Sequence, residues 1–256
     1  MKRNVVVSVA WLIAVSSISL AAEQPKQDPR ATEIIRRMEE KLNLEGGDVT
    51  SMFTLVQRKA GEADRVLKIK VFRRDSDKKF TMIFSYPESE KGKGYYRSGD
   101  DLFLYLPSTR EFVYRNRKDD VGSTDVRTDL FGKLDLLRHY SMSYGGTAKL
   151  SKYDCDIIEL TATVLDVSFP VQKWYIRTSD GLPVKVENFS ASKTLLRTYY
   201  YIDYKEVATG KFLFTKFMAL NNLEKDQKTL LSNEEIASAK IRDYTFSKAY
   251  LEEQSR

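Results

Sequence analysis

A chain of 256 residues, 42% hydrophobic, is long enough to bury one sizeable core, and 42 Lys and Arg against 36 Asp and Glu leave a net charge of only +6. Acids interrupt the basic runs, as in "RRDSDKK" and "RNRKDD", which argues against the concentrated patch of a nucleic-acid binder. A single His (His139) and a single Cys (Cys155) exclude a multi-His metal centre and an internal disulfide, so stability must come from packing.

The N-terminus reads as an export signal. Lys2 and Arg3 precede an uncharged run from Val5 to Leu20, and small residues follow in "SLAAEQP". That run falls short of the roughly 20 residues that span hydrocarbon. The expectation is a signal peptide over 1–21 cleaved near Ala21, no lipidated cysteine after it, a polar linker over 22–29, and one domain over 30–256. Removing the signal takes Lys2 and Arg3 away and lowers the net charge by two.

"PRATEIIRRMEEKLN" places Ile34, Ile35, Met38 and Leu42 on one stripe, predicting an amphipathic helix that "EGGD" stops. From Val49 onward the period becomes two. "VLKIKVFRR" alternates Leu67, Ile69 and Val71 with lysines, and "KFTMIFSYP" alternates Phe80, Met82, Phe84 and Tyr86 with smaller or polar residues. In "KGKGYYRSGDDLFLYLPSTREF" an aromatic hairpin carries Tyr95, Tyr96, Phe103, Tyr105 and Phe112, and Pro107 ends a strand. No nucleophile, metal cluster or phosphate loop stands in it.

The segment "DVGSTDVRTDLFGKLDLLRHY" loses the alternation and spaces Leu130, Phe131, Leu134 and Leu137 as a helix would, with Thr128 or Asp129 as its cap. Strand rhythm then returns in "DIIELTATVL", "VQKWYIRT", "PVKVENFS", "LLRTYYYIDYKEV" and "KFLFTKFMAL", punctuated by turns such as "TSDGLP" and "ATGK". Cys155, in "YDCDIIEL", is expected to be a buried small hydrophobe. The whole predicts a mainly β domain of about ten antiparallel strands with no βαβ alternation. A sheet that long curls, and its concave face is either filled or a container.

"KGKGYYRSGDDLFLYLPSTREFVYRNRK", "GSTDVRTDLFGKLD" and the closing "DYTFSKAYLEE", with Phe246, Tyr250 and Leu251, resemble the outer-membrane lipoprotein-sorting family, which is similar to the periplasmic lipoprotein carrier LolA. The resemblance covers most of the mature chain and is strongest from Lys91 to Leu137. It implies a strongly curved antiparallel half-barrel with an N-terminal helix and a helical lid over an apolar cavity. It implies a periplasmic carrier that shields acyl chains of lipoproteins, or of phospholipids, on the way to the outer membrane. An inner-membrane donor complex and an outer-membrane acceptor belong to that picture, and a monomer is expected. The wall residues would be Leu67, Ile69, Val71, Phe80, Met82, Phe84, Leu102 and Leu104, and the lid residues Leu130, Phe131, Leu134 and Leu137. Arg73, in phase with Val71, would be the latch that holds the lid, while Arg74 faces the other side. No cofactor, metal or nucleic acid is implied. The alternative is a binding protein that senses lipid or envelope stress without transport. An enzyme is disfavoured, because no Gly-x-Ser-x-Gly elbow accompanies His139.

Overall fold

The structure, a computed structural model, describes residues 27–116 and 118–255. The expected signal peptide and most of the linker lie outside the described residues. Within them the chain forms a 13-stranded antiparallel sheet and a few short helices.

Two meanders build the sheet. The first runs outward through β1 (Asp48–Arg58), β2 (Arg65–Arg74), β3 (Lys79–Tyr86), β4 (Gly94–Ser98), β5 (Asp101–Leu106) and β6 (Glu111–Arg115). The second comes back inward through β7 (Tyr140–Leu150), β8 (Tyr153–Ala162), β9 (Val171–Arg177), β10 (Pro183–Phe189), β11 (Leu195–Ala208), β12 (Lys211–Asn221) and β13 (Lys228–Ser238). β13 pairs with β1 at the centre, and β6 and β7 are opposite, unpaired edges. The sheet is therefore curved and unclosed rather than a barrel.

The count corrects the expectation of about ten strands, and the three extra strands have physical reasons for being hard to read. β4 is five residues long and begins at Gly94. β7 contains Gly145 and Gly146 at a register shift between Tyr144 and Thr147, so it reads as a turn. β13 is central, yet it turns Thr229, Leu231 and Asn233 inward, two of them polar because polar groups await them there.

Register gives the lining of the concave face, since residues directly opposite share a face. Leu67 faces Leu55, Leu55 faces Leu231, Leu231 faces Phe217 and Phe217 faces Tyr201, one apolar row across five strands. Phe84 continues to Ile69 and Phe53 in the next row, and Tyr95 to Met82 and Val71 in a third.

The other face of β2 to β5 is covered by the C-terminal segment. There Tyr250, in α3 (Lys248–Glu253), stacks edge-on against Phe72 with ring centroids 5.7 Å apart. Leu251 is fully buried against Gly94, and a Cβ at position 94 would lie 2.5 Å from its Cδ1. The tail motif seen in the sequence thus serves packing. Arg74 also points this way, pairing with Asp48 at 2.8 Å and lying over the Phe246 ring.

The first helix, α1 (Pro29–Leu42), starts where the Asp28 carboxylate accepts from the Arg30 and Ala31 N–H groups. Ala31, Ile35, Met38 and Leu42 are buried in the mouth of the sheet. Just before the helix, the Asp28 N–H donates to the Met142 carbonyl and Gln27 bonds Tyr140 and Met142, covering part of the β7 edge.

Candidate functional site

One connection decides what the concave face can do. β6 and β7 stand at opposite edges, and the described residues 118–139 between them traverse the mouth. Pieces of this strap touch both halves of the sheet. Gly122 sits over Leu67 and Phe84, and the Ser123 carbonyl accepts from Gln57 at 3.1 Å. Asp125 reaches across to β12 and β13. Its carboxylate, fully buried, accepts from Gln227 at 2.6 Å, Thr229 Oγ1 at 2.9 Å and Asn221 at 3.2 Å. The chain then doubles back, and Phe131 meets Phe53 edge-on at 4.9 Å.

The expected helical lid over 128–140 is not formed. In its place are a 3-10 turn (Thr128–Phe131), an extended break at Gly132 and a four-residue helix, α2 (Leu136–His139). The cap position before the 3-10 turn is Arg127, rather than the expected Thr128 or Asp129, and it makes no side-chain cap bond. Geometry explains the difference. An α-helix advances only 1.5 Å per residue, whereas this stretch must reverse direction and still bridge the mouth. It does so at Gly122 and Ser123, both with positive φ, and at Gly132. The helical spacing of Leu130, Phe131, Leu134 and Leu137 marks residues that face inward from an irregular path.

Two side chains of α1 hold the strap's second half. Asn43, just past the helix, donates to the Leu134 carbonyl at 2.9 Å and accepts from the Leu134 N–H at 2.8 Å. Glu39 accepts from the N–H groups of Leu136 and Leu137. Burial pushes the Glu39 carboxyl up to about 7, against the pull of those two N–H groups. Arg73 does face inward, as its phase requires, but its guanidinium forks onto Asp75 at 2.7 and 2.6 Å and reaches the Leu42 carbonyl at 3.3 Å. Burial works to raise the Asp75 carboxyl, yet the Arg73 charge and the Leu44 N–H outweigh it and hold it below its ordinary range. Arg73 thus anchors the end of α1, and the bonds from this helix end to the strap come from Glu39 and Asn43.

The other expected wall residues divide by depth. Leu67, Ile69, Met82 and Leu102 are fully buried, and Phe80 and Phe84 nearly so, packed into the core beneath the strap. Val71, Leu130 and Phe131 line a void of about 20 Å3. Leu130 and Leu134 line a cavity of about 110 Å3 on the far side, whose floor is Trp174, Val186, Tyr199 and Tyr201. Leu137 packs on the core without lining either. Phe84 and Leu104 border a third space of about 550 Å3 beside Gly122, ringed by Arg65, Glu90, Lys93 and Arg115. Glu90 there pairs with Arg65 at 3.0 Å and Lys93 at 2.8 Å, a polar groove rather than an acyl tunnel.

Reading the sequence missed the aromatic floor. Trp174 stacks on Tyr201 and Tyr199 lies edge-on to Phe217. The signal was present as alternation in "VQKWYIRT", but "TYYYIDY" carries aromatics on both faces and hides its own period. Cys155 is fully buried, as expected, and burial raises its thiol pKa. Among the described residues, no group of three His, Cys, Asp or Glu is placed to hold a metal, and no helix is long and apolar enough to cross a membrane.

The curved, unclosed sheet is a fold that this chain shares with several solved proteins. A LolA superfamily protein from Nitrosomonas europaea superposes with a TM-score of 0.75 at 18% identity, over 86% of this chain and 98% of that one. An outer-membrane lipoprotein-sorting protein domain from Vibrio parahaemolyticus gives 0.77 at 17% identity, over 87% and 98%. A DUF1329 family protein from Desulfovibrio piger gives 0.78 at 15%, over 87% and 98%. The curved antiparallel sheet that the resemblance implied is therefore present, whereas the helical lid and the count of about ten strands are not. A family model described as uncharacterized protein-like matches residues 76–253, and the chain belongs to that family. None of the curated proteins matches it.

Proposed function

We propose that this protein is a periplasmic carrier that takes acyl chains of lipoproteins or phospholipids into the mouth of its curved sheet and moves them toward the outer membrane. The observation that carries the reading is that the apolar interior is occupied by a strap of the protein's own chain, held at a few discrete points. The empty space beneath it, about 110 Å3, is well below the 300–1,000 Å3 of ordinary ligand pockets. An acyl chain therefore enters by displacing the strap.

Magnitudes allow this exchange. Val121, Val126, Phe131 and Leu136 are the strap's buried apolar side chains, each worth roughly 1.5–3 kcal/mol on burial. About ten acyl methylenes at ~0.8 kcal/mol each supply a comparable gain. Near balance is what a carrier requires, since it must take up its cargo and also release it. Arg73 acts on the strap through α1, by fixing the helix end from which Glu39 and Asn43 reach out.

The same reading includes cleavage of residues 1–21 on export, an inner-membrane donor, an outer-membrane acceptor, a monomeric carrier and no catalysis. Transfer of a labelled lipoprotein from inner-membrane to outer-membrane vesicles tests it. Transfer that depends on the added protein supports the carrier. Acyl binding without transfer would reassign the chain to the sensing proteins, and no acyl binding at all would end the proposal.

A further inference from the structure

The aromatic floor beneath the strap contains two polar atoms that no described residue satisfies. Tyr199 Oη and Asn188 Nδ2 are buried and have no hydrogen-bond partner among the described residues. The two residues are only 5% and 1% exposed, and both line the 110 Å3 cavity. They come from adjacent strands. Asn188 on β10 lies opposite Arg197 on β11, two positions from Tyr199, so both side chains share the concave face.

Their neighbours are occupied. Trp174 Nε1 donates to Gln172 Oε1 at 2.7 Å, Gln172 Nε2 donates to Tyr140 Oη at 3.4 Å, and Tyr140 donates to the Phe169 carbonyl at 3.0 Å. That relay leaves the two orphans as spare donors beside the aromatic floor. A buried donor without an acceptor carries the full cost of its lost hydration, and native proteins rarely keep one without a use.

Charge selects the acceptor. Asp129, Asp135 and Asp166 line the same cavity, with Arg97 and Lys133 as its only Lys or Arg. Lys133 is also paired with Glu45. Asp135 is likewise paired with Lys78, and Arg127 acts on Tyr199 against Asp129, so neither sign of charge dominates beside the two donors and a neutral carbonyl oxygen suits them. Burial and the nearby Asp129 push the Tyr199 hydroxyl well above its ordinary range, so it stays a donor.

We propose that Tyr199 and Asn188 form a subsite for the neutral carbonyl of an ester- or amide-linked acyl chain, whose oxygen accepts from Tyr199 Oη–H and Asn188 Nδ2–H. This rests on the acyl-carrier reading and adds that the mouth recognises the linkage as well as the tail.

The test is displacement of the neutral dye N-phenyl-1-naphthylamine from the purified chain by three probes of matched length: methyl palmitate, N-methylpalmitamide and heptadecane. The ester and the amide should displace about tenfold better than the hydrocarbon, the factor that 1.4 kcal/mol gives. Tyr199→Phe and Asn188→Leu should each erode that preference by weakening displacement by the ester and the amide relative to heptadecane. In the empty protein Tyr199→Phe should raise Tm by about 2–4 °C, because it removes an uncompensated hydroxyl. A fall in Tm would show that the hydroxyl already has a structural partner and would overturn the subsite. Equal displacement by all three probes, or a preference that survives in both variants, also overturns it while leaving the acyl carrier standing. Failure of every probe to displace removes both. Phosphatidylethanolamine vesicles and a triacylated cysteinyl peptide, run in the same assay, separate the two sources of the carbonyl. Whichever displaces the dye must weaken in Tyr199→Phe, and undiminished displacement overturns the assignment.

Discussion

Replacing Phe131 with Ala separates a strap that competes with ligand from one that is simply part of the core. The Phe131 ring is 2% exposed, lies edge-on to Phe53 at 4.9 Å and already borders a small void. Truncating such a ring typically costs ~3–5 kcal/mol. If the strap opens as a unit, that cost falls on the closed form alone, because in the open form the ring faces solvent in both proteins. Acyl binding proceeds from the open form, so the cost appears as a gain in affinity. A 3–5 kcal/mol shift corresponds to roughly 10²-fold to 4 × 10³-fold, reached in full only while the closed form still dominates the empty variant. Dye titration reads the affinity, and hydrogen exchange reads the strap. The Leu136 and Leu137 amides should lose protection in Phe131→Ala while the amides of β1 and β13 keep theirs. Unchanged or weaker binding, with protection lost evenly across sheet and strap, would refute the competition and make residues 116–139 an integral part of the core.

Further outcomes follow from other named contacts. The Glu39 carboxyl is raised by burial from an ordinary 4.5 to about 7, so its contribution favours folding most below pH 4.5 and is lost as pH rises through about 7, a change of at most about 3 kcal/mol. Urea unfolding should therefore show stability declining from pH 5 to pH 8 on this account, and Glu39→Gln should flatten the slope; an unaltered slope in the variant would place its cause elsewhere. Gly94→Ala puts a Cβ 2.2 Å from the Met82 carbonyl oxygen and 2.5 Å from Leu251 Cδ1, so it should destabilise by ~1–3 kcal/mol and expose the C-terminal helix to proteolysis. A neutral result in the same urea assay would show that the helix is loosely docked. Cys155, buried on β8, should react with a thiol reagent only after unfolding, and rapid labelling of the native chain would contradict its burial.

Much of this architecture is legible in the residues. Alternation in β2 and β3 fixes which side chains face inward, down to the opposite directions of Arg73 and Arg74, because a period of two leaves one choice of face. The helix at Pro29–Leu42 follows from its stripe, while its Asp28 cap is seen only in the structure. The strap shows the limit of such reading. Leu130, Phe131, Leu134 and Leu137 satisfy a helical template, yet a chain that must cross a wide mouth and turn back at Gly132 has no room for a continuous helix. Nothing local announces that crossing, because it follows from which strands become the two edges. The bonds from Glu39 and Asn43 were invisible for the same reason, since polar residues at the end of an amphipathic helix ordinarily face solvent. Tyr199 and Asn188 become notable only once the register places their unsatisfied atoms in one cavity.

Native mass spectrometry of the exported protein, released by osmotic shock without detergent, tests the central claim most directly. The account predicts a fraction of the chain carrying one acyl lipid or acylated peptide, displaced when excess dye is added. A bare mass alone, unchanged after incubation with phospholipid vesicles and with a triacylated peptide, would show that the strap never yields its place and would contradict the carrier.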